Sequence, residues 1–189
     1  MHAFRLIMIV VFVLCAAASV RAQEKQYPLL VESEYFTIYA YPGMDGADLL
    51  ERINFNIFLQ FDKALEDSGD AVPDVLGKTM DAIFLEVGDV LGIALYSFHG
   101  NIKIFSDQES LNAEYRALFH DDFFERAFYL HEKNTLYLSH ADISMGIMVH
   151  EIAHVLMSHY FVVPPSQKLQ EILSGYVEYH FRKRTGTLP

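Results

Sequence analysis

Cysteine occurs once in these 189 residues, at Cys15, and tryptophan not at all. A single thiol excludes an internal disulfide framework and a zinc site built on cysteines. Any metal here has to be held by histidine and carboxylate. Positive charge is also scarce, with 14 Lys+Arg against 25 Asp+Glu and a formal net charge of −11. An acidic surface of this kind repels phosphate backbones, which argues against nucleic acid as a partner. No apolar run reaches the ~20 residues that a membrane-spanning helix requires. Internal repeats, low-complexity tracts and linker-like segments are missing too.

The longest continuous apolar stretch, Leu6 to Leu14, follows Arg5 and precedes Val20-Arg21-Ala22. A short basic start, an apolar core and small residues at the −3 and −1 positions read as a secretory signal, cleaved after Ala22. Residues 1–22 are therefore expected to be a leader, and residues 23–189 a single domain that is secreted or periplasmic, with no stable membrane anchor. Without Arg5 and Arg21, and without Cys15, the remaining chain carries 12 basic against 25 acidic residues, a formal charge of −13, and no thiol. With 15 Phe and 11 Tyr the composition is globular, not disordered.

The pattern of the mature chain is that of an α+β domain. Gln23 to Val31 reads as a loose leader. Glu34 to Tyr41, aromatic and β-branched and closed by Pro42-Gly43, reads as a first strand. Asp45 to Leu65 shows helical spacing of Leu49, Ile53 and Ile57. Met80 to Val87 reads as a strand, Gly88 to Gly100 is ambiguous, and Ile102 to Phe105 is a further strand. Asp107 is placed to cap a helix to about Phe119. Phe124 to His131 and Thr135 to Ser139 read as a hairpin turning at Glu132-Lys133-Asn134. Asp142 would cap a helix to about Tyr160, Pro164-Pro165 would stop it, and Ser166 would cap a last helix to about Arg182.

The helix from Ile143 to Tyr160 carries His150-Glu151-Ile152-Ala153-His154, an H-E-x-x-H motif. Residues four apart on an α-helix lie one above the other, so His150 and His154 can converge on one Zn²⁺ at about 2.0–2.1 Å each. Glu151 lies about 100° round the helix from His150. It is close enough to act as a general base on a water at the metal without being a ligand. The plain alternative is a set of surface histidines, but the surrounding Ile147 to Val149, Ile152, Ala153 and Val155 to Met157 are uncharged, as a core helix requires. Burying three ionisable groups in such a helix is costly unless something pairs them.

A third ligand is needed. The metzincin arrangement fails, because Tyr160 stands where its third histidine would be and Met157 where its glycine would be. His159 is one residue short of the ligand position. On the next helix Glu171 and Glu178, two turns apart on nearly the same face, compete, and Glu171 is the first choice.

Here the chain resembles the gluzincins, the thermolysin-like zinc metallopeptidases, and especially their small "peptidase MA-like" members. Gln170-Glu171-Ile172-Leu173-Ser174-Gly175-Tyr176 is similar to the helix that supplies their third ligand, matching at Glu171, Ser174 and Tyr176. Arg126-Ala127-Phe128-Tyr129 looks like their edge strand, on which an extended peptide pairs. The specific motifs lie within residues 126–176. The resemblance implies a zincin-like α+β fold, one Zn²⁺ per chain on His150, His154 and Glu171, and a peptide or protein substrate on Ala127, Phe128 and Tyr129. It also implies hydrolysis of peptide bonds with Glu151 as base. Two departures stand out. Gly175 occupies the position of the acid that usually orients a ligand histidine, a role Glu178 could take. The oxyanion-stabilising His or Tyr of larger members has no obvious counterpart; Tyr176 is one candidate beside Tyr179, His180 and His159. The competing expectations are a zincin-fold binding or assembly protein without turnover, and a zinc amidase acting on cell-wall peptides. Ser174 and Gly175 are expected to let the last two helices approach closely.

Overall fold

The computed structural model describes residues 27–53, 71–122 and 125–188. The leader 1–22, Phe124 and the part of the expected 45–65 helix beyond residue 53 lie outside the described residues. Within them the chain is a mixed α+β structure of five strands and five helices. The order is β1 (Leu29–Glu32), β2 (Phe36–Ala40), α1 (Gly46–Arg52), α2 (Val72–Leu91), β3 (Gly100–Phe105), α3 (Gln108–Phe119), β4 (Ala127–Leu130), β5 (Thr135–Ser139), α4 (Met145–Tyr160) and α5 (Gln167–Arg184).

The strands form one sheet in the order β1-β2-β3-β5-β4. β2, β3 and β5 run parallel, and β1 and β4 lie antiparallel on the two edges. Side chains alternate across the pleat. Ile38, Ile102, Ile104, Leu136 and Leu138 therefore face one side, in the main core with α2, α4 and α5. Phe105 and Tyr137 face the other side, where they pack with Leu111 of α3 and with Phe128 and Leu130 of β4. The Phe128 and Tyr137 rings stack across the β4–β5 pair with centroids 4.5 Å apart.

Several expectations need correction. Residues 29–31, read as part of a loose leader, belong with Glu32 to edge strand β1, which pairs with β2 with a register irregularity between Leu29 and Val31. Residues 80–87, read as a strand, lie inside helix α2. Their apolar run masks a helical period, with Leu76, Met80, Ile83, Phe84 and Val87 all buried on one face. Pro73 in the first turn and Gly92 at φ 68° bound that helix, as proline at the start and glycine past the end commonly do. Asp81 on α2 accepts hydrogen bonds from Ser33 Oγ at 2.8 Å and from the Glu34 and Tyr35 amides at 3.0 Å each. This ties the helix to the β1–β2 turn.

Other boundaries match the patterns more closely. Asp107 caps α3 by accepting from Ser110 N at 2.8 Å. β4 and β5 form the expected hairpin through a 3₁₀ turn at His131–Lys133 and Asn134 at φ 47°. The cap of α4 is Ser144 rather than Asp142: Ser144 Oγ accepts from Ile147 N at 3.4 Å. Asp142 belongs to a preceding 3₁₀ turn, where it accepts from Ser139 Oγ at 2.7 Å. Ser166 stands at the N-cap of α5 without a side-chain capping bond, and α5 continues to Arg184. Its buried face is Ser174, Val177 and Phe181, the last 2% exposed. Gly175, expected to ease helix contact, faces open space instead.

Candidate metal centre

Helix α4 divides its faces cleanly. Met145, Met148, Val149, Ile152, Ala153 and Leu156 recur at helical spacing and enter the core. His150, Glu151 and His154 therefore fall on the other face, where they line a cleft of about 1250 Å³. The wall opposite α4 is the free edge of β4, and α5 closes a third side.

On that face the Nε2 atoms of His150 and His154 stand 3.3 Å apart. Glu171, on the first half of α5, places Oε2 3.4 Å from His150 Nε2 and Oε1 3.5 Å from His154 Nε2. These three side chains are a group of ligand-type atoms mutually close enough to hold one ion. Four-coordinate zinc with bonds of about 2.0–2.1 Å requires ligand–ligand separations of about 3.3–3.4 Å. The three separations are close to that value, although the two to Glu171 end on different oxygens of its carboxylate.

The outer ring nitrogens explain why the inner ones face each other. Gln170 Nε2 donates to Pro165 O at 2.8 Å, which leaves its Oε1 to accept from His154 Nδ1 at 3.4 Å. Glu178 Oε2 stands 3.7 Å from His150 Nδ1. An acceptor at Nδ1 favours the tautomer that leaves Nε2 unprotonated, and of the two contacts only that of Gln170 with His154 lies within hydrogen-bond distance. The donor set, two imidazoles and one carboxylate with no sulfur, suits zinc. Burial lowers the pKa of His154, with neighbouring His150 acting the same way against the opposing influence of Gln170 and Glu171. That favours the neutral imidazole a metal needs.

Glu151 lines the same cleft. Its pKa is pushed up to about 7, first by burial and then by the charges of Glu171 and Glu125. A carboxyl poised there can both take and return a proton near neutral pH. Glu178, the competitor for the third ligand position, lies against the outer nitrogen of His150 instead. Its other oxygen accepts from Arg182 at 3.2 Å. Gly146 makes this approach possible, since a Cβ there would stand 3.1 Å from Glu178 Oε1.

The edge strand lies along the cleft. Ser139 N donates to Arg126 O at 3.3 Å, and β4 pairs Ala127 with Leu138 and Tyr129 with Leu136. Antiparallel pairs alternate between bonded and non-bonded. Arg126, Phe128 and Leu130 are thus bonded to β5, and the backbone amides and carbonyls of Ala127 and Tyr129 point to the free side. The Phe128 side chain lies on the α3 face of the sheet, although its residue borders the cleft.

The oxyanion candidates separate. Tyr176 is 53% exposed with its ring beside His180, and Tyr179 is 52% exposed. Of the four candidates only His159 lines the cleft. Its Nε2 is 2.5 Å from Tyr129 Oη, which donates to Asn134 Oδ1 at 2.8 Å, and its ring centroid lies 4.7 Å from that of His131 with the planes tilted by 36°. Burial raises the Tyr129 pKa to about 12, so the phenol stays protonated. Gln170 and His131 had no assigned role in the sequence reading, and the link between Tyr129, expected only as part of the edge strand, and His159, expected only as an oxyanion candidate, was not foreseen. Gln170 sits one residue before Glu171, and only helix packing shows that it meets His154. No family model, curated protein or solved structure matches the chain.

Proposed function

We propose that this chain is a zinc-dependent metallopeptidase of the gluzincin type, with a zincin-like fold, secreted or periplasmic, acting on peptides or proteins. The observation that carries this reading is the convergence of His150 Nε2, His154 Nε2 and a Glu171 carboxylate at separations of 3.3–3.5 Å beside an acid of raised pKa. His150, His154 and Glu171 would hold one Zn²⁺ per chain, with Glu178 and Gln170 orienting the two rings. When bound, the ion supplies Lewis acidity that polarises a carbonyl and makes water more acidic.

The rest is the work of the chain. Ala127 and Tyr129 present backbone donors and acceptors to an extended substrate, which adds as a further strand on the edge of the sheet. Glu151 takes the proton of the attacking water and later returns it to the leaving amine. A purely structural metal site has no use for an acid in that position. An amidase acting on cell-wall peptides shares this chemistry and differs only in substrate.

The test is metal content and peptide hydrolysis measured together. One zinc per chain, lost in Glu171→Ala and retained in Glu151→Gln while hydrolysis disappears, supports the proposal. A protein that takes up no zinc, or one whose Glu151→Gln variant still cleaves peptides, overturns it.

A further inference from the structure

Next to the cleft, at the start of α4, lies a second pocket of about 350 Å³. It shares Arg126, Ile147 and Glu178 with the main cleft, so the two are continuous. Three arginines from three separate parts of the chain line it: Arg52 at the end of α1, Arg126 just before β4 and Arg182 near the end of α5. The whole chain carries only 14 Lys+Arg. Arg52 is held in an exposed pair with Asp48 at 3.5 Å, and Arg182 contacts Glu178 at 3.2 Å. Arg126 makes no ion pair among the described residues. Three guanidinium groups thus line one small pocket whose only carboxylate among the described residues is that of Glu178, already paired with Arg182, which leaves Arg126 in particular able to pair with an incoming anion.

The rest of the cleft has the opposite character. Glu125, Glu151 and Glu171 line its middle, and Tyr129, His131, His159 and Phe161 its far end, while Glu178 stands at the boundary and lines both. The arginines therefore form a positive end to a long groove. Strand direction gives this end a meaning. β4 runs from Arg126 towards Leu130. A peptide adding antiparallel to it enters beside His131 and leaves beside Arg126, with its C-terminal side directed at the arginines.

We infer that this arginine-lined pocket binds a carboxylate on the C-terminal side of the substrate, and so selects peptides that carry a free C-terminus or an acidic side chain a short way beyond the cleft centre. The inference rests on the peptidase reading for its substrate class, but the pocket is tested by binding alone. Guanidinium–carboxylate pairing is often bidentate, and a charged hydrogen bond of that kind changes affinity by about tenfold or more.

The probes are short alanine-based peptides labelled at the N-terminus, one with a free C-terminal acid, one amidated, and one amidated with a terminal glutamate. Binding is followed by fluorescence anisotropy on the zinc-loaded full chain carrying Glu151→Gln, so that the peptides stay intact. Cleavage of the same peptides by the unmodified chain is read separately by mass spectrometry. The expected result is about tenfold tighter binding of a carboxylate-bearing peptide than of the plain amide. That preference falls in Arg126→Gln and Arg52→Gln and is unchanged in Arg116→Gln, which lies on α3 away from the pocket. A preference for the free acid identifies the C-terminal carboxylate as the ligand, and a preference for the glutamyl amide identifies a side chain.

Equal affinity for all three peptides, no peptide binding at all, or a preference that survives Arg126→Gln overturns the inference. Cleavage without carboxylate preference overturns the pocket and leaves the peptidase reading standing. Carboxylate-dependent binding without cleavage does the reverse. Melting temperatures of the arginine variants within a few degrees of the parent exclude misfolding as the cause.

Discussion

The Glu178 carboxylate stands 3.7 Å from Nδ1 of His150, while Nε2 of the same ring faces Glu171 at 3.4 Å. One imidazole is thus held between two glutamates of one helix, seven residues apart, in different roles. In the proposed metal centre Glu171 would ligate, and Glu178 would orient the ring from behind. Two consequences for metal affinity follow from the difference.

Removing Glu171 deletes an inner contact, and Glu171→Ala is expected to abolish tight zinc uptake. Removing Glu178 only frees the His150 ring to rotate and to change tautomer, for which a loss of about 10–100-fold in affinity is typical. Gln170→Ala should act like Glu178→Ala, through His154. Zinc titration against a competing chelator separates the two classes, and equal losses in all three variants would contradict the assignment.

Gly146→Ala tests the same contact from α4. The change favours the helix by about 0.8–1 kcal/mol in propensity. The new methyl would stand 3.1 Å from Glu178 Oε1, the mobile end of a side chain, so the carboxylate shifts and the fold survives. The expected outcome is unchanged or slightly higher thermal stability with about tenfold weaker zinc binding, typical of losing an outer partner. Unaltered affinity would show that Glu178 does not orient His150.

Glu151 gives the metal-free protein a pH signature. Its folded pKa, about 7, lies above the ordinary 4.5. A raised pKa means that the native state holds the proton more tightly than the unfolded one. The stabilisation is full below pH ~4.5 and is lost as pH rises through about 7, up to roughly 3 kcal/mol in all. His154 acts in the opposite sense, because its pKa is lowered and its contribution is lost as pH falls. Comparing urea unfolding of the chelated parent with Glu151→Gln at matched pH cancels the histidine. The parent should lose stability relative to the variant between pH 4.5 and 7, and a flat difference would refute the raised pKa.

The placing of both glutamates depends on how α5 is docked. Phe181, 2% exposed, anchors it together with Val177. Phe181→Ala is expected to cost about 3–5 kcal/mol and to weaken zinc binding without touching a ligand. Val177→Ala should do the same to a lesser degree, and chemical denaturation with parallel zinc titration measures both. Full zinc affinity in a strongly destabilised Phe181→Ala would mean that the site does not need α5 in this position.

Local pattern carried a good deal of this. His150, Glu151 and His154 share one face because a helix repeats every 3.6 residues, and no distant contact is needed to put them there. The β4–β5 hairpin, the Asp107 cap and the α+β class were legible for similar reasons, each being decided by neighbours in the chain. Residues 80–87 misled because a short apolar run has no unambiguous period until Leu76 is counted with it. Strand β1 was missed because an edge strand of four residues gains its order from pairing with β2, not from its own composition.

The division between the two glutamates of α5 lies on the other side of that line. On the helix alone Glu171 and Glu178 face almost the same way, and sequence spacing offers no means of choosing between ligand and support. The packing of α5 on α4 separates their positions, setting Glu171 against the inner nitrogens of both histidines and Glu178 against the outer nitrogen of His150 and beside Gly146. The meeting of Arg52, Arg126 and Arg182 is likewise tertiary, since these residues are far apart in the chain and share no local motif. What the sequence determined by itself was the half of the site that one helix can build. The second half needed two helices and a sheet edge, because convergence of distant side chains is a property of packing.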